Sequence, residues 1–146
     1  MNGSTVLNAY VISSLILCAN LLFLWAYSGG SRAKSKTVRN PEDTTTVAKG
    51  AAVAETDPEV VARVLRVHTN SMANIVPFLL LGNIYVGLAP SETVAIGVFG
   101  AFTAIRLIYS FVYLNGIQPW RTIMFGLGGL VTLVMMGDMV RLLVTS

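Results

Sequence analysis

The chain has one histidine, His68, and one cysteine, Cys18, among its 146 residues. A single cysteine cannot form an internal disulfide, and a single histidine gives a Ser-His-Asp triad or a multi-histidine metal site little to build on. Cys18 lies inside an apolar run with no cation nearby, so we interpret it as a small hydrophobic residue rather than a nucleophile. The sequence therefore predicts neither a metal site nor cysteine catalysis.

Charged residues are also scarce. They make up 12% of the chain, about half of the ~25% that soluble domains carry. Hydrophobic residues make up 54%, and the mean hydropathy is +0.69. The net charge of +3 does not indicate a nucleic-acid partner, because the basic residues gather in one loop and at helix ends. We therefore predict a single membrane domain over residues 1–146, with membrane lipid as its solvent.

Four stretches are long and apolar enough, or nearly so, to cross a bilayer as helices, which takes about 20 residues. Gly29 and Gly30 are expected to end the first stretch. The absence of period-two alternation excludes a barrel, and short turns indicate an all-α antiparallel bundle of four helices. The predicted helices cover about 6–28, 58–88, 92–114 and 119–144, and a polar loop covers about 32–57.

The distribution of basic residues predicts the orientation of the bundle. The first loop is basic, the turn before the third helix offers only Glu92 as a charge, and Arg121 follows the third loop. Because basic loops stay in the cytoplasm, both termini are expected to face away from it. The membrane would be the inner membrane of a bacterium or the endoplasmic reticulum of a eukaryote. The basic residues of the first loop are Arg32, Lys34, Lys36, Arg39 and Lys49.

The start of the second helix carries a polar stripe. At about 3.6 residues per turn, Arg63, Arg66, Asn70 and Asn74 fall near one face, just before the helix becomes wholly apolar. Arginines at the membrane boundary of a helix cost free energy unless they contact an anion. The stripe therefore predicts a polar ligand site at the membrane boundary.

Two further positions could carry chemistry. Arg106 lies inside the apolar third helix, where it must be paired, buried in protein or in contact with a ligand. One interpretation is contact with an anionic ligand, and the other is pairing with a carbonyl or an acid of a neighbouring helix. Arg121 and Thr122 open the fourth helix, where unsatisfied backbone N–H groups would help to bind an anion such as a thiolate. The alternative there is a topological arginine beside a capping threonine.

The second-helix string from Arg63 to Gly82, with Arg66, His68, Asn70, Asn74 and Pro77, resembles the signature of the MAPEG family. These are membrane-associated proteins in eicosanoid and glutathione metabolism. The resemblance is nearest to the microsomal prostaglandin E synthase branch, because three further motifs are similar to that branch. They are Asn40-Pro41-Glu42-Asp43, Arg106 with Tyr113, and Arg121-Thr122.

The resemblance implies a homotrimer that holds glutathione between subunits, near the cytoplasmic side, and acts on a lipophilic small molecule. Arg121, helped by Thr122, would stabilise the thiolate, and Asp43 would position Arg121. These three form the predicted catalytic set. The remaining predicted glutathione-binding residues are Arg32, Arg66, Asn70, Arg106 and Tyr113.

Three positions depart from the family pattern. Thr69 stands where the family commonly has arginine, Ala73 where it has glutamate, and Tyr109 where it has histidine. Each lost charge-assisted hydrogen bond is worth about 1.5–3 kcal/mol, so these changes bear on ligand affinity. Two functions remain open. One is a glutathione-dependent transferase, peroxidase or isomerase, and the other is a noncatalytic trimeric module that binds a lipid headgroup or a partner protein in the same pocket.

Overall fold

The structure is a computed structural model that describes residues 2–145, with side chains from Ser4 onward. It is an all-α bundle of four helices: α1 (Asn2–Ser35), α2 (Glu59–Gly87), α3 (Glu92–Leu114) and α4 (Trp120–Thr145). Helix α1 packs against α2 and α3, and α4 packs mainly against α3. The chain is an integral membrane protein, since α1, α3 and α4 are each long and apolar enough to span a bilayer.

Helix α2 does not reach the apolarity of the other three. It begins at Glu59 and carries Asn70, Asn74 and Asn83 among its apolar residues. Its first turns also carry Glu59, Arg63 and Arg66, so they suit the membrane boundary better than the hydrocarbon core. The buried face of α2 is still apolar, with Ile75 and Phe78 fully buried against the other helices.

The first helix is longer than the sequence suggested. Gly29 and Gly30 were expected to end it, but α1 continues to Ser35. The glycines cost helix stability, about 1 kcal/mol each relative to alanine. Tertiary contacts hold the extra turns in place, because Ser31 is buried and Arg32 pairs with Asp57 at 3.0 Å. The prediction of a break at the glycines was wrong.

The loop between α1 and α2 is ordered by short elements. Two-residue strands, β1 (Thr37–Val38) and β2 (Ala52–Val53), pair in parallel, with Thr37 opposite Ala52. A 3₁₀ helix at Pro41–Thr44 lies between them. These elements fold the loop back against the end of α1, which places its basic residues around a concave surface.

Two clusters of buried residues fill the bundle. The larger combines aliphatic and aromatic side chains, and the rings of Phe78 and Phe102 stack in it with centroids 3.6 Å apart. The smaller lies beneath the end of α3 and contains Leu24, Val67, Tyr109 and Tyr113. The smaller cluster thus carries two phenols, and it forms the base of the site described next.

Candidate functional site

A cavity of about 210 Å³ opens between the start of α4 and the facing residues of α2 and α3. We call it the interhelical cavity. Tyr109 and Tyr113 share a face of α3 because they are four residues apart, and α4 begins at Trp120, which places Arg121 and Thr122 in its first turn. The residues that line it are Asn70, Tyr109, Tyr113, Arg121, Thr122 and Phe125.

The guanidinium of Arg121 is held in place by contacts with uncharged groups. Its guanidinium carbon lies 4.8 Å from the centroid of the Tyr113 ring, within cation–π range. With the Gln118 amide turned so that its oxygen faces the guanidinium, that oxygen accepts a hydrogen bond from Arg121 Nε at 3.0 Å. Within residues 2–145 no carboxylate forms an ion pair with Arg121. Its positive charge is therefore available to an anion in the cavity.

The backbone at the start of α4 differs from the sequence-based expectation. The N–H groups of Thr122 and Ile123 both donate to the Pro119 carbonyl, at 3.0 and 3.2 Å, and that of Arg121 donates to Ile117 at 3.2 Å. The expected unsatisfied N–H groups are thus already bonded, so that prediction was wrong for these residues. An anion at this end of α4 would be held by side chains.

The residues of α2 take two different positions. Asn70 lines the interhelical cavity and is half-buried. Arg66, one turn earlier, is exposed, and its Nη2 donates to Glu59 Oε1 at 2.7 Å. That hydrogen bond raises the pKa of Arg66 above its usual value. Arg66 is thus a cation one turn before Asn70, and its present partner is an exposed carboxylate.

Arg106 does not line the cavity. It is fully buried, and its guanidinium carbon lies 4.1 Å from the centroid of the Tyr109 ring, which separates it from the cavity. Nη2 donates to Ser71 Oγ at 3.3 Å, whereas Nε and Nη1 find no hydrogen-bond partner among the described residues. Among the described residues, Arg106 pairs with neither a carbonyl nor an acid, and its contact with an anionic ligand stays a prediction.

Arg32 and Asp43 lie elsewhere, around a second cavity of about 630 Å³ formed by the α1–α2 loop. Arg32 is bound to Asp57, and three more cations, Lys36, Arg39 and Lys49, line this loop cavity. The loop cavity and the interhelical cavity share no lining residue. Within one protomer, four predicted site residues thus line the interhelical cavity, Arg32 and Asp43 line the loop cavity, and Arg66 and Arg106 line neither.

The structure also places a residue that was not among the predicted site residues. Tyr109 lines the interhelical cavity, between Arg106 and the opening. Its spacing of three residues from Arg106 and four from Tyr113 was the available signal. The two departures on α2, Thr69 and Ala73, are both exposed on the outward side of that helix, where neither supplies a charge.

A model of the MAPEG family matches residues 10–140 of the chain. The chain belongs to the MAPEG family. This MAPEG chain is 35% identical to microsomal glutathione S-transferase 1 of Rattus norvegicus over 140 residues, which cover 93% of the chain and 90% of the relative. It is 33% identical to prostaglandin E synthase of Bos taurus over 135 residues, 88% of the chain and 87% of the relative. The human prostaglandin E synthase is also 33% identical, over 133 residues.

The relatives of this MAPEG chain thus include both a transferase and a synthase, at similar identity. The matched residues 10–140 contain all eight predicted site residues, from Arg32 to Thr122. No group of three or more His, Cys, Asp or Glu side chains is placed to hold a metal ion within the described part of the chain. The polar side chains that line the interhelical cavity supply a guanidinium, hydroxyl groups and an amide.

Proposed function

We propose that this MAPEG protein is a glutathione-dependent enzyme, of transferase, peroxidase or isomerase type, that acts on a lipophilic electrophile. One observation carries the proposal: Arg121, free of any carboxylate partner among residues 2–145, faces a cavity that also contains Thr122, Asn70 and two phenols. Glutathione offers two carboxylates, an ammonium and a thiol. Hydrogen-bond donors and cations are the groups that bind such a ligand.

Arg121 has the central role in the proposed mechanism. A thiolate, not a thiol, is the effective nucleophile, and a guanidinium beside the sulfur favours the ionised form. The Thr122 hydroxyl can donate a hydrogen bond to the same sulfur. Asn70 and Tyr113 would hold the peptide part of the ligand, while Arg66 would exchange its exposed partner Glu59 for a ligand carboxylate.

A homotrimer would bring the two groups of site residues together. Arg32 and Asp43 belong to the loop cavity of one protomer, so we propose that they reach the interhelical cavity of a neighbouring copy. There Arg32 would bind the tripeptide, and Asp43 would position Arg121. The exposed face of α2 supports such an assembly, because Arg66 and Thr69 suit a protein surface better than lipid.

The second substrate is expected to arrive from the bilayer. Phe125 lines the interhelical cavity and is 43% exposed. Its ring therefore continues the cavity into the outer surface of α4. A lipophilic electrophile dissolved in the membrane could therefore approach Arg121 from the side.

The test is glutathione-dependent turnover by the purified full chain in detergent or nanodiscs, with a generic aryl halide and an organic peroxide as electrophiles. Arg121→Ala should lower kcat/KM by about 100-fold, since removal of one donor to a developing anion costs that much or more. Arg141→Ala is the matched control, because Arg141 pairs with Asp138 at the other end of α4. No turnover above the uncatalysed rate with any electrophile would refute the proposal.

A noncatalytic module is the second candidate, and the observation that favours it is Ala73. This position lacks a carboxylate for the ligand's ammonium, and Thr69 beside it lacks a positive charge. The double variant Thr69→Arg/Ala73→Glu separates the two functions by calorimetry. A glutathione site should gain at least tenfold in affinity, whereas a site for a lipid headgroup or a partner protein should not.

We also propose that the chain is one membrane domain with both termini on the non-cytoplasmic side. The basic loop around Arg32, Lys36, Arg39 and Lys49 supports this orientation, because such loops remain in the cytoplasm. Reporter fusions at each terminus test it: a cytoplasm-only fluorophore should stay dark at both ends, and a signal from either end would contradict the orientation.

A further inference from the structure

Two arginines and two tyrosines form a continuous stack from the interior of the bundle to the interhelical cavity. The Arg106 guanidinium carbon lies 4.1 Å from the centroid of the Tyr109 ring. The rings of Tyr109 and Tyr113 meet edge to face, with centroids 5.5 Å apart, and Arg121 lies over Tyr113 at 4.8 Å. We call these four residues the arginine–tyrosine stack.

The inner end of the stack carries a charge that no carboxylate offsets. Six of the seven acids of the chain lie in the α1–α2 loop or at the first residue of α2 or α3. The seventh, Asp138, accepts hydrogen bonds from Tyr85 at 2.6 Å and from Arg141 at 2.8 Å. Among residues 2–145, no acid therefore forms an ion pair with Arg106.

Tyr109 lies between Arg106 and the interhelical cavity and contacts both. Its ring is fixed by Arg106, by Tyr113 and by Phe125, whose centroid is 5.9 Å away. The residue is only 1% exposed, yet it lines the cavity together with Arg121. A phenol held in this way is a preorganised hydrogen-bond donor, and donors that need no rearrangement are the most effective at stabilising an anion.

We propose that Tyr109 contacts the bound ligand and donates a hydrogen bond to its thiolate, opposite Arg121, and that Arg106 is a positioning residue that acts through Tyr109. The inference rests on the proposed function. The phenol keeps its proton throughout, so no bond is made or broken at Tyr109. The sulfur then has a guanidinium on one side and a phenol hydroxyl on the other.

The test is the pH dependence of kcat/KM for conjugation by the full chain, with glutathione and an aryl halide. Tyr109→Phe keeps the ring and removes the hydroxyl, so the midpoint of the profile should rise by about one pH unit, a tenfold loss of thiolate at neutral pH. The KM for glutathione should change by less than about threefold. The ultraviolet absorbance of the bound thiolate should fall in parallel.

Tyr10→Phe is the matched control. It removes a hydroxyl that donates to the Leu79 carbonyl at 3.1 Å, outside the cavity, so it tests loss of a phenol hydroxyl without loss of a site contact. Arg106→Met should raise the midpoint in the same direction, and adding Tyr109→Phe should then raise it little further, because the two residues act in series. Arg106→Lys, which restores the charge, should recover part of the shift.

An unchanged midpoint in Tyr109→Phe, with turnover by the parent protein intact, would overturn the inference and leave the proposed function standing. A Tyr10→Phe shift as large as that of Tyr109→Phe would also overturn it, since the effect would then be structural. Absence of glutathione turnover in the parent protein would overturn the proposed function and the inference together. Tyr109→Phe remains decisive even if Arg106→Met fails to fold.

Discussion

Arg121 and Tyr113 are joined by a cation–π contact, with the guanidinium carbon 4.8 Å from the ring centroid. Arg121 is half-buried, and no acid among residues 2–145 holds it in place. The ring therefore fixes the direction of the guanidinium without neutralising it.

Replacement of Tyr113 should separate the role of its ring from that of its hydroxyl. Tyr113→Leu removes the aromatic face, worth about 0.5–2 kcal/mol in such contacts, so kcat/KM should fall by about 2- to 30-fold. Tyr113→Phe retains the face and should keep most of kcat, with any loss confined to the KM for glutathione. Steady-state kinetics of both variants measure this, and equal losses of kcat would contradict a bracing role for the ring.

A second prediction concerns the polar contact that joins α1 and α3 inside the bundle. Asn20 Nδ2 donates to Ser110 Oγ at 3.1 Å, and both side chains are buried. Ser110→Ala leaves the amide unpaired and should cost about 0.6–2 kcal/mol of unfolding free energy. Asn20→Leu/Ser110→Ala should recover part of this loss, because no polar group is then left unpaired.

Unfolding in mixed detergent measures these stabilities. Ser14→Ala is the control, since Ser14 Oγ donates at 2.7 Å to the Tyr10 carbonyl of its own helix and joins no second helix. It should change the free energy of unfolding by less than about 0.5 kcal/mol. A double variant that is less stable than Ser110→Ala would show that the contact contributes more than the desolvation of its two groups.

Close packing at Gly82 gives a third prediction. A Cβ atom at this position would lie 3.1 Å from the rings of both Phe99 and Tyr10. Gly82→Ala should therefore cost about 1–3 kcal/mol of unfolding free energy, although alanine is the better helix former. Gly97→Ala is the control because its Cβ meets nothing within 4 Å, and it should be neutral or stabilising. Equal effects in the two variants would mean that the aromatic rings give way.

The four helices could be predicted because their signals are local. Runs of apolar residues and the turns at Pro90 and Gly116 define α3, which the sequence placed at about 92–114 and the structure has at Glu92–Leu114. The end of α1 could not be predicted in the same way. The residue at which α1 ends depends on the contact between Arg32 and Asp57, which lies 25 residues further along the chain. The glycine pair carries no information about that contact.

The candidate site could likewise be predicted only where the signal is local. Helical spacing alone puts Asn70 on the polar stripe of α2, and it puts Tyr109 and Tyr113 on one face of α3. It does not say which helix face meets the start of α4. That Arg106 lies behind Tyr109 instead of lining the cavity follows from packing between α2 and α3, which brings Ser71 to the guanidinium. Long-range packing of this kind has no signature in one sequence.

The division of site residues between two cavities gives the last prediction. If Arg32 of one subunit completes the site that contains Arg121 of the next, then Arg32→Gln and Arg121→Ala should each lower activity and should complement each other in mixed trimers. With random mixing at equal amounts, three quarters of trimers are mixed, and each has one intact site in three. Activity should recover to about one quarter of the parent value, as follows from cyclic symmetry.

Asn70→Ala mixed with Arg121→Ala provides the contrast, because both residues line the same cavity of one protomer. No arrangement of those subunits restores an intact site, so activity should stay at the level of the single variants. Turnover at low glutathione concentration measures both mixtures, after co-expression at equal amounts and purification through a tag that both variants carry, so that all trimers are retained. Recovery in neither mixture would place Arg32 outside the site, and its pairing with Asp57 would then be its whole role.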